Sequence, residues 1–252
     1  MDARKSLFVV VMMLVVAVFV VPVVMAQDQQ TLTADGKEVE VPVPTEPGIF
    51  TIQGQFTRIA YNNEGWVTLG YRTANDSQGQ EWMLLEVGVT VRKPTKNYTL
   101  ERDAISVTLP DGTTVGLAGQ EEFRKAGYLK KLNMMGNNIR DSINYFPVQA
   151  NQACVIGFFS DPTKANRSIA YDQVELSWQR ACLGRLFFKM PEGQKIVTGQ
   201  YWLNVQFADS IVQTPFRIMT KDEEKFLKKN WKDLKKEHEA FLKGEQEKAK
   251  QQ

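Results

Sequence analysis

EWMLLEVGVTVRK, residues 81–93, alternates between apolar and polar or small side chains along most of its length. An extended chain would place one set of apolar side chains on the same face, namely Met83, Leu85, Val87, Val89 and Val91. Glu86, Thr90 and Arg92 would lie on the opposite face. Because successive side chains of a β-strand point to opposite sides, this period of two predicts a half-buried strand rather than a helix.

The same period recurs over residues 49–219 and predicts a mainly β domain. Further strands are predicted within GIFTIQGQFTRIAY (48–61), GWVTLGYRT (65–73), DQVELSW (172–178), YWLNVQF (201–207) and IVQTPFRI (211–218). Pro110-Asp111-Gly112 predicts a turn between two strands, and Pro215 predicts that the last strand lies at a sheet edge or a bulge. Short strands that recur about every 8–12 residues, with turns between them, indicate a β-sandwich.

Three segments depart from this pattern. Residues 120–132 predict one short helix with an apolar face of Phe123, Leu129 and Leu132, followed by a loop over residues 133–147. Residues 160–172 are a polar connection between the two strands that carry the cysteines. Residues 27–48 are expected to form a polar arm or a hairpin, with Asp35-Gly36 as its turn.

The first 26 residues have the pattern of a secretory signal peptide. Arg4 and Lys5 precede an uncharged apolar stretch, and Val24-Met25-Ala26 fits a small-x-small cleavage pattern. Cleavage is therefore expected between Ala26 and Gln27, with export to the periplasm or the extracellular space. The alternative is an uncleaved anchor, because residues 7–26 could span a bilayer as a helix. A membrane contact is expected only in that case.

Cys154 and Cys182 are the two cysteines of the chain. In an oxidising compartment such a pair usually forms a disulfide, and closing this loop would stabilise the fold by about 3.5 kcal/mol in the chain-entropy model. Two buried free thiols, or one functional thiol, are the alternatives. The flanking segments are predicted as buried strands, whereas a reactive thiol needs an electropositive pocket. Two cysteines alone do not form a zinc site, and no cofactor is expected.

Enzymatic function is not expected from the residues present. The single histidine, His238, lies among charged residues of the C-terminal tail, as a solvated residue or beside an apolar stripe, and is a poor member of a catalytic triad. Paired-carboxylate hydrolysis is an alternative, with candidates Glu81, Glu86, Glu101, Asp103 and Asp111, but the sequence pairs none of them. A formal charge of +2 gives no reason to bind nucleic acid.

Residues 220–252 predict an amphipathic helix and a charged tail. Thr220 and Glu223 form a capping box, and Gly244 predicts the C-terminal stop of a helix over about 221–243. Apolar residues recur at spacings of three and four, in a stripe that we call the seam: Phe226, Leu227, Trp231, Leu234, His238, Phe241 and Leu242. The seam could pack on the sandwich, bind a protein partner or a second copy, or contact a membrane. For partner docking the candidates are Phe226, Leu227, Trp231, Leu234 and Phe241, with Trp231 as anchor.

Two stretches resemble a known family. PEGQKIVTGQYWLNVQF (191–207) resembles the late strand of an immunoglobulin-like domain, where a Gly-x-Tyr-x-hydrophobic run carries a tyrosine corner. Gly199, Tyr201 and Leu203 match that spacing, with Leu203 in the place of the family's second cysteine. Residues 82–115 resemble secreted bacterial immunoglobulin-like domains of unknown function. The resemblance covers residues 50–218 and implies an immunoglobulin-like β-sandwich whose disulfide is not the usual inter-sheet one.

These observations favour a non-catalytic exported cell-envelope protein that binds a protein or ligand through sheet edges and its C-terminal helix. The expected organisation is a signal peptide (1–26), an arm or hairpin (27–48), a β-sandwich (49–219) and a helical tail (220–252). Two alternatives remain. One is a membrane-tethered structural or assembly protein with an uncleaved anchor, and the other is a carbohydrate-active hydrolase that uses paired carboxylates.

Overall fold

The predicted strand at residues 81–93 is β6 (Trp82–Val91), which lies inside a six-stranded sheet. The computed structural model describes residues 30–32, 38–40, 49–92, 96–139, 142–160 and 169–251. The predicted signal peptide with its Ala26–Gln27 cleavage site, the Asp35-Gly36 turn and residues 161–168 lie outside the described residues. Within the described part the chain is mainly β, with a long C-terminal helix.

Two six-stranded sheets and a two-stranded ribbon contain the strands of the described residues. Sheet I has the order β10-β12-β6-β5-β4-β3, with β3 (Ile49–Gly54), β4 (Thr57–Tyr61), β5 (Gly65–Gly70), β10 (Gln152–Val155) and β12 (Arg180–Lys189). Sheet II has the order β14-β13-β8-β9-β1-β2, with β1 (Gln30–Leu32), β2 (Glu38–Glu40), β8 (Ile105–Thr108), β9 (Thr114–Gly116), β13 (Gly199–Gln206) and β14 (Ile211–Ile218). The ribbon pairs β7 (Tyr98–Glu101) with β11 (Gln173–Leu176).

Most neighbouring strands in the two sheets are antiparallel, with two parallel exceptions. β10 runs parallel to β12, and β1 runs parallel to β9. β1 and β2 pair with each other antiparallel on either side of the predicted Asp35-Gly36 turn. The short strands β1 and β2 are therefore part of sheet II, next to β9.

The main core lies between the inner faces of the two sheets. From sheet I it takes the predicted apolar face of β6, and from sheet II it takes Tyr201, Leu203 and Val205 of β13. All of these side chains are almost completely buried. The turn at Pro110-Asp111-Gly112 is also present, since Gly112 has a φ of +90° and the Thr113 amide donates to the Asp111 carboxylate.

A second layer covers the outer face of sheet I, which corrects two predictions. β6 is buried on both faces, because α2 (Gln120–Lys125) and α3 (Leu129–Ile139) pack over Trp82 and Leu84. The one helix predicted over 120–132 is two helices, and residues 133–139 of the predicted 133–147 loop belong to α3. Packing of an apolar helix face on the sheet outweighs the weak propensities of Gly and Asn. A one-turn helix, α1 (Arg72–Asn75), follows β5.

The strands predicted within residues 48–61 form the hairpin β3–β4, with an irregular register between Ile52 and Gly54 where the chain turns back. One strand prediction is wrong. β10, predicted to be buried beside Cys154, is largely exposed because it lies at the end of sheet I. An edge strand has only one neighbour, so its apolar residues are not all covered.

The C-terminal helix α4 spans Lys221–Gln251 and starts at the predicted capping box. The Thr220 amide donates to Glu223 Oε2 at 2.8 Å, and the Glu223 amide donates to Thr220 Oγ1 at 3.2 Å. The predicted stop at Gly244 is wrong. Strong helix formers (Glu, Gln, Lys and Ala) follow Gly244, and their propensity outweighs the cost of one glycine. No helix in the described part of the chain is long and apolar enough to cross a membrane.

Candidate interaction sites

The start of α4 is fixed to the last strand of sheet II. Arg217 on β14 places its guanidinium 2.7 Å from Glu223 Oε1, in addition to the capping box. Burial alone would raise the pKa of Glu223, but hydrogen bonds from Arg217 and Thr220 lower it below its ordinary value. The position and direction of the first turn of α4 relative to β14 are therefore fixed.

Farther along, α4 packs its seam against the β3 edge of sheet I. Leu227 packs on the main core, and the His238 ring lies 5.0 Å from the Phe50 ring, centroid to centroid. His238 is 6% exposed, so it lies in the seam itself and is not a solvated residue. Burial is the main cause that lowers its pKa below the ordinary histidine value. The sequence pattern placed His238 beside the apolar stripe but did not indicate its burial, because the residues that bury it belong to β3, far away along the chain.

The seam is only partly covered by the sandwich. All five predicted partner-docking residues keep some exposed surface: Phe226, Leu227, Trp231, Leu234 and Phe241. The seam spans residues 226–242, about 25 Å along α4, and the 6 residues of β3 extend for about 20 Å. The β3 edge is thus slightly shorter than the seam.

The disulfide joins two neighbouring strands of one sheet. Cys154 on β10 and Cys182 on β12 are directly opposite in the register, and their Sγ atoms are 2.19 Å apart. Cys182 is completely buried and Cys154 packs on the main core. The bond holds the edge strand β10 to sheet I and does not link the two sheets.

Tyr201 has the hydrogen bonds of a tyrosine corner. Its hydroxyl donates to the Val197 carbonyl at 2.8 Å and accepts from the Val197 amide at 3.1 Å. The ring is buried and stacks on Phe216 with centroids 5.4 Å apart. Burial raises the pKa of the Tyr201 hydroxyl, so the protonated form makes these bonds at neutral pH.

The candidate carboxylates are spread over four parts of the fold. Glu81 immediately precedes β6 and Glu86 lies on it, while Glu101 ends β7, Asp103 lies in a 3-10 turn and Asp111 lies in the β8–β9 turn. Glu86 is the buried member of the set, being 7% exposed. Its oppositely charged neighbour is the Arg185 guanidinium on β12, 3.4 Å away. The two residues are directly opposite in the β6–β12 register, so the ion pair joins these two strands of sheet I.

Arg185 connects sheet I to the covering helix α3. Its guanidinium donates to the side-chain oxygens of Asn133 at 2.5 Å and Asn137 at 2.8 Å, besides facing Glu86. The cluster borders a groove of about 510 Å³ that also includes Ser142 and Ile143. The sequence did not indicate this cluster, because Glu86 and Arg185 are 99 positions apart and each alternates like a surface residue.

Comparison with known proteins gives no information on function, so the function is argued from the geometry of the sites. No protein-family model, curated protein or solved structure matches this chain. Among the described residues, no group of three or more His, Cys, Asp or Glu side chains is placed to hold a metal ion. The seam, the sheet edges and the Arg185 cluster are therefore the features from which a function is argued.

Proposed function

We propose that this chain is an exported, non-catalytic binding protein with an immunoglobulin-like β-sandwich, and that it docks a protein partner through the seam of α4. The observation that carries the proposal is the incomplete cover of the seam. Trp231 and the other four candidate docking residues stay partly exposed although the seam lies beside β3. Tryptophan is enriched among the residues that contribute most of the binding energy at protein interfaces.

The strand order supports the immunoglobulin-like part of the proposal. The segment β5-β6-β12-β10 of sheet I follows the A-B-E-D order of that fold, and β9-β8-β13-β14 of sheet II follows C′-C-F-G. The Tyr201–Val197 hydrogen bonds lie on the strand that corresponds to F, as in a tyrosine corner. The parallel β10–β12 pair and the added strands β1 to β4 depart from the family pattern.

Export is supported by two independent features. The first 26 residues have the charge and apolar pattern of a signal peptide, and the Cys154–Cys182 disulfide needs an oxidising compartment to persist. Intact mass of the natively exported chain tests this part. A chain starting at Gln27, with thiols that alkylate only after reduction, is expected. A full-length chain would favour the tethered assembly protein instead.

Partner docking is tested by site-specific photocrosslinking in the cell of origin. A photoreactive phenylalanine analogue at Trp231 should form a discrete crosslinked band, whereas the same analogue at Lys229, on the exposed side of α4, should not. Bands of equal intensity from both positions, or none from Trp231, would contradict docking through the seam.

A second variant separates docking from internal packing. Trp231→Ala with Leu234→Ala should abolish co-purification of the crosslinked partner and leave the melting temperature nearly unchanged. A large fall in melting temperature would show that these side chains instead stabilise the fold. Lys229→Ala with Lys232→Ala, on the exposed side of the same helix turns, is the matched control.

A further inference from the structure

The outer edge of sheet I at β10 is an interaction surface that does not involve α4. We propose that β10 pairs antiparallel with β10 of a second copy of this chain, around a twofold axis at Cys154. The pairing would join two copies of sheet I edge to edge. This inference does not depend on the partner-docking proposal for the seam.

The backbone of β10 directs alternate hydrogen-bonding groups away from the sheet. The Gln152 amide donates to Gln179 and the Ile156 amide donates to Leu183, so the even-numbered residues face β12. Within a strand the N–H and C=O of one residue point the same way and alternate along the chain. Ala153 and Val155 therefore direct their N–H and C=O groups outward, where no described strand pairs with them.

The outward N–H and C=O groups of Ala153 and Val155 can pair with the same groups of a second copy related by a twofold rotation. With the axis at Cys154, Ala153 of one copy lies opposite Val155 of the other, which gives four inter-chain N–H···O=C bonds. Val155 is 76% exposed, so this contact would also bury an apolar side chain. The pairing ends before Gly157, whose carbonyl accepts the Tyr171 amide at 2.8 Å.

The other edges of the two sheets carry features that discourage strand addition. β3 is covered by α4, β14 contains Pro215, and β2 carries Glu38 and Glu40. Prolines, charges and covering helices are the usual means of protecting an edge. β10 carries none of these, and the disulfide to β12 holds it in register with sheet I.

The charge of the segment favours a second copy as the occupant. Residues 151–157, NQACVIG, include no charged side chain, so two copies can meet without like charges facing each other. A segment this short predicts a weak dimer, because its buried area falls below that of standard stable interfaces. Dissociation in about the micromolar range is therefore expected.

Sedimentation velocity of the full exported chain, over about two decades of concentration around the micromolar range, tests the proposal. The wild type should shift from monomer to dimer, and Val155→Lys should weaken the association by at least about tenfold. Val197→Lys is the matched control, because Val197 is also an exposed valine (52%) but lies outside β10. Ala153→Pro should act like Val155→Lys, since it removes an outward N–H and no bond to β12.

Amide exchange by NMR gives a second readout at residue resolution. The Ala153 and Val155 amides should become protected as the wild-type concentration rises. The Gln152 and Cys154 amides, which face β12, should be protected throughout and act as an internal reference. A monomer at every concentration, or a dimer that both variants and the control leave unchanged, would overturn the proposal. Unchanged melting of Val155→Lys would show that any loss of dimer is not loss of fold.

Discussion

The His238 imidazole of α4 lies against the Phe50 ring of β3, with 5.0 Å between the ring centroids. Burial is the main cause that lowers the pKa of His238, and the nearby Arg58 charge acts in the same direction. The Phe50 backbone and Glu239 act in the opposite direction but do not reverse the shift. The docked helix thus favours the neutral imidazole, which makes its contact with β3 sensitive to acid.

Docking of α4 is expected to weaken as the pH falls below about 6.5, the ordinary histidine pKa. A group whose pKa is lowered in the folded state binds fewer protons there than in the undocked state, so stability rises with pH across that window. At pH 8 both states hold a neutral imidazole and the effect vanishes. Hydrogen exchange of the Leu227–Phe241 amides from pH 8 to pH 5, corrected for intrinsic rates, measures the change.

His238→Leu is the control for this pH dependence. Leucine keeps an apolar contact with Phe50 but cannot be protonated, so the variant should retain the same protection of α4 across the window. If the leucine variant lost protection at acidic pH as much as the wild type does, the carboxylates of the chain, and not His238, would be the cause. The Glu223–Arg217 pair is the first alternative to examine.

Tyr201→Phe should lower the free energy of unfolding by about 1–2 kcal/mol. The substitution keeps the ring stacked on Phe216 and removes only the hydroxyl, which exchanges two hydrogen bonds with the Val197 backbone. Urea unfolding at neutral pH measures the effect, with an unchanged m-value expected. Tyr171→Phe, on an exposed ring, should be neutral by the same measurement. Equal effects for the two variants would mean that the corner contributes no stability.

Arg185→Met should lower the free energy of unfolding by about 1–3 kcal/mol, because the buried Glu86 carboxylate loses the hydrogen bond and charge of Arg185. The substitution also removes the donors that hold Asn133 and Asn137 of α3. The double variant Glu86→Leu with Arg185→Met should recover much of the loss, since neither charge is then buried. A double-mutant cycle by urea unfolding gives the coupling energy, and strictly additive losses would argue against a direct interaction.

The sequence predicted the inner faces of the strands well and the outer faces poorly. The alternation in β6 and β13 found the core between the sheets, because period two directly encodes a buried face. It could not show that α3 covers the outer face of β6, since cover from a distant segment leaves no periodic trace. The same limit explains β10, where exposure follows from its position at the end of sheet I.

For the helix and the candidate sites too, features set by neighbouring residues were predicted and features set by distant residues were not. The capping box predicted the start of α4, because its two hydrogen bonds are made between residues close in sequence. The end was missed, since a lone glycine is a weak signal when helix formers follow it. Local spacing also marked Tyr201 and the seam. The burial of His238 and the Glu86–Arg185 pair depend on partners far along the chain, so no pattern in one segment could predict them.

Gly184 on β12 should not tolerate a side chain. Substitution there tests whether the chain at the end of the edge strand β10 lies against β12. A Cβ atom at this position would lie 2.6 Å from both the carbonyl oxygen and Cβ of Ile156, immediately after β10. Backbone atoms cannot rotate away as a flexible side chain can, so the segment after β10 would have to move. Overpacking of this kind typically costs about 1–3 kcal/mol. Gly184→Ala is expected to lower the free energy of unfolding by that amount.

Gly127→Ala is the matched control, because a Cβ at Gly127 would meet no atom within 4 Å. It should be neutral or slightly stabilising, since alanine restricts the unfolded chain more than glycine does. Urea unfolding with the disulfide intact compares the two variants, and exchange at the Ile156 amide reports the displacement locally. Equal stability of both variants would mean that Ile156 does not lie against β12, and the proposed β10 edge would then have to be redrawn.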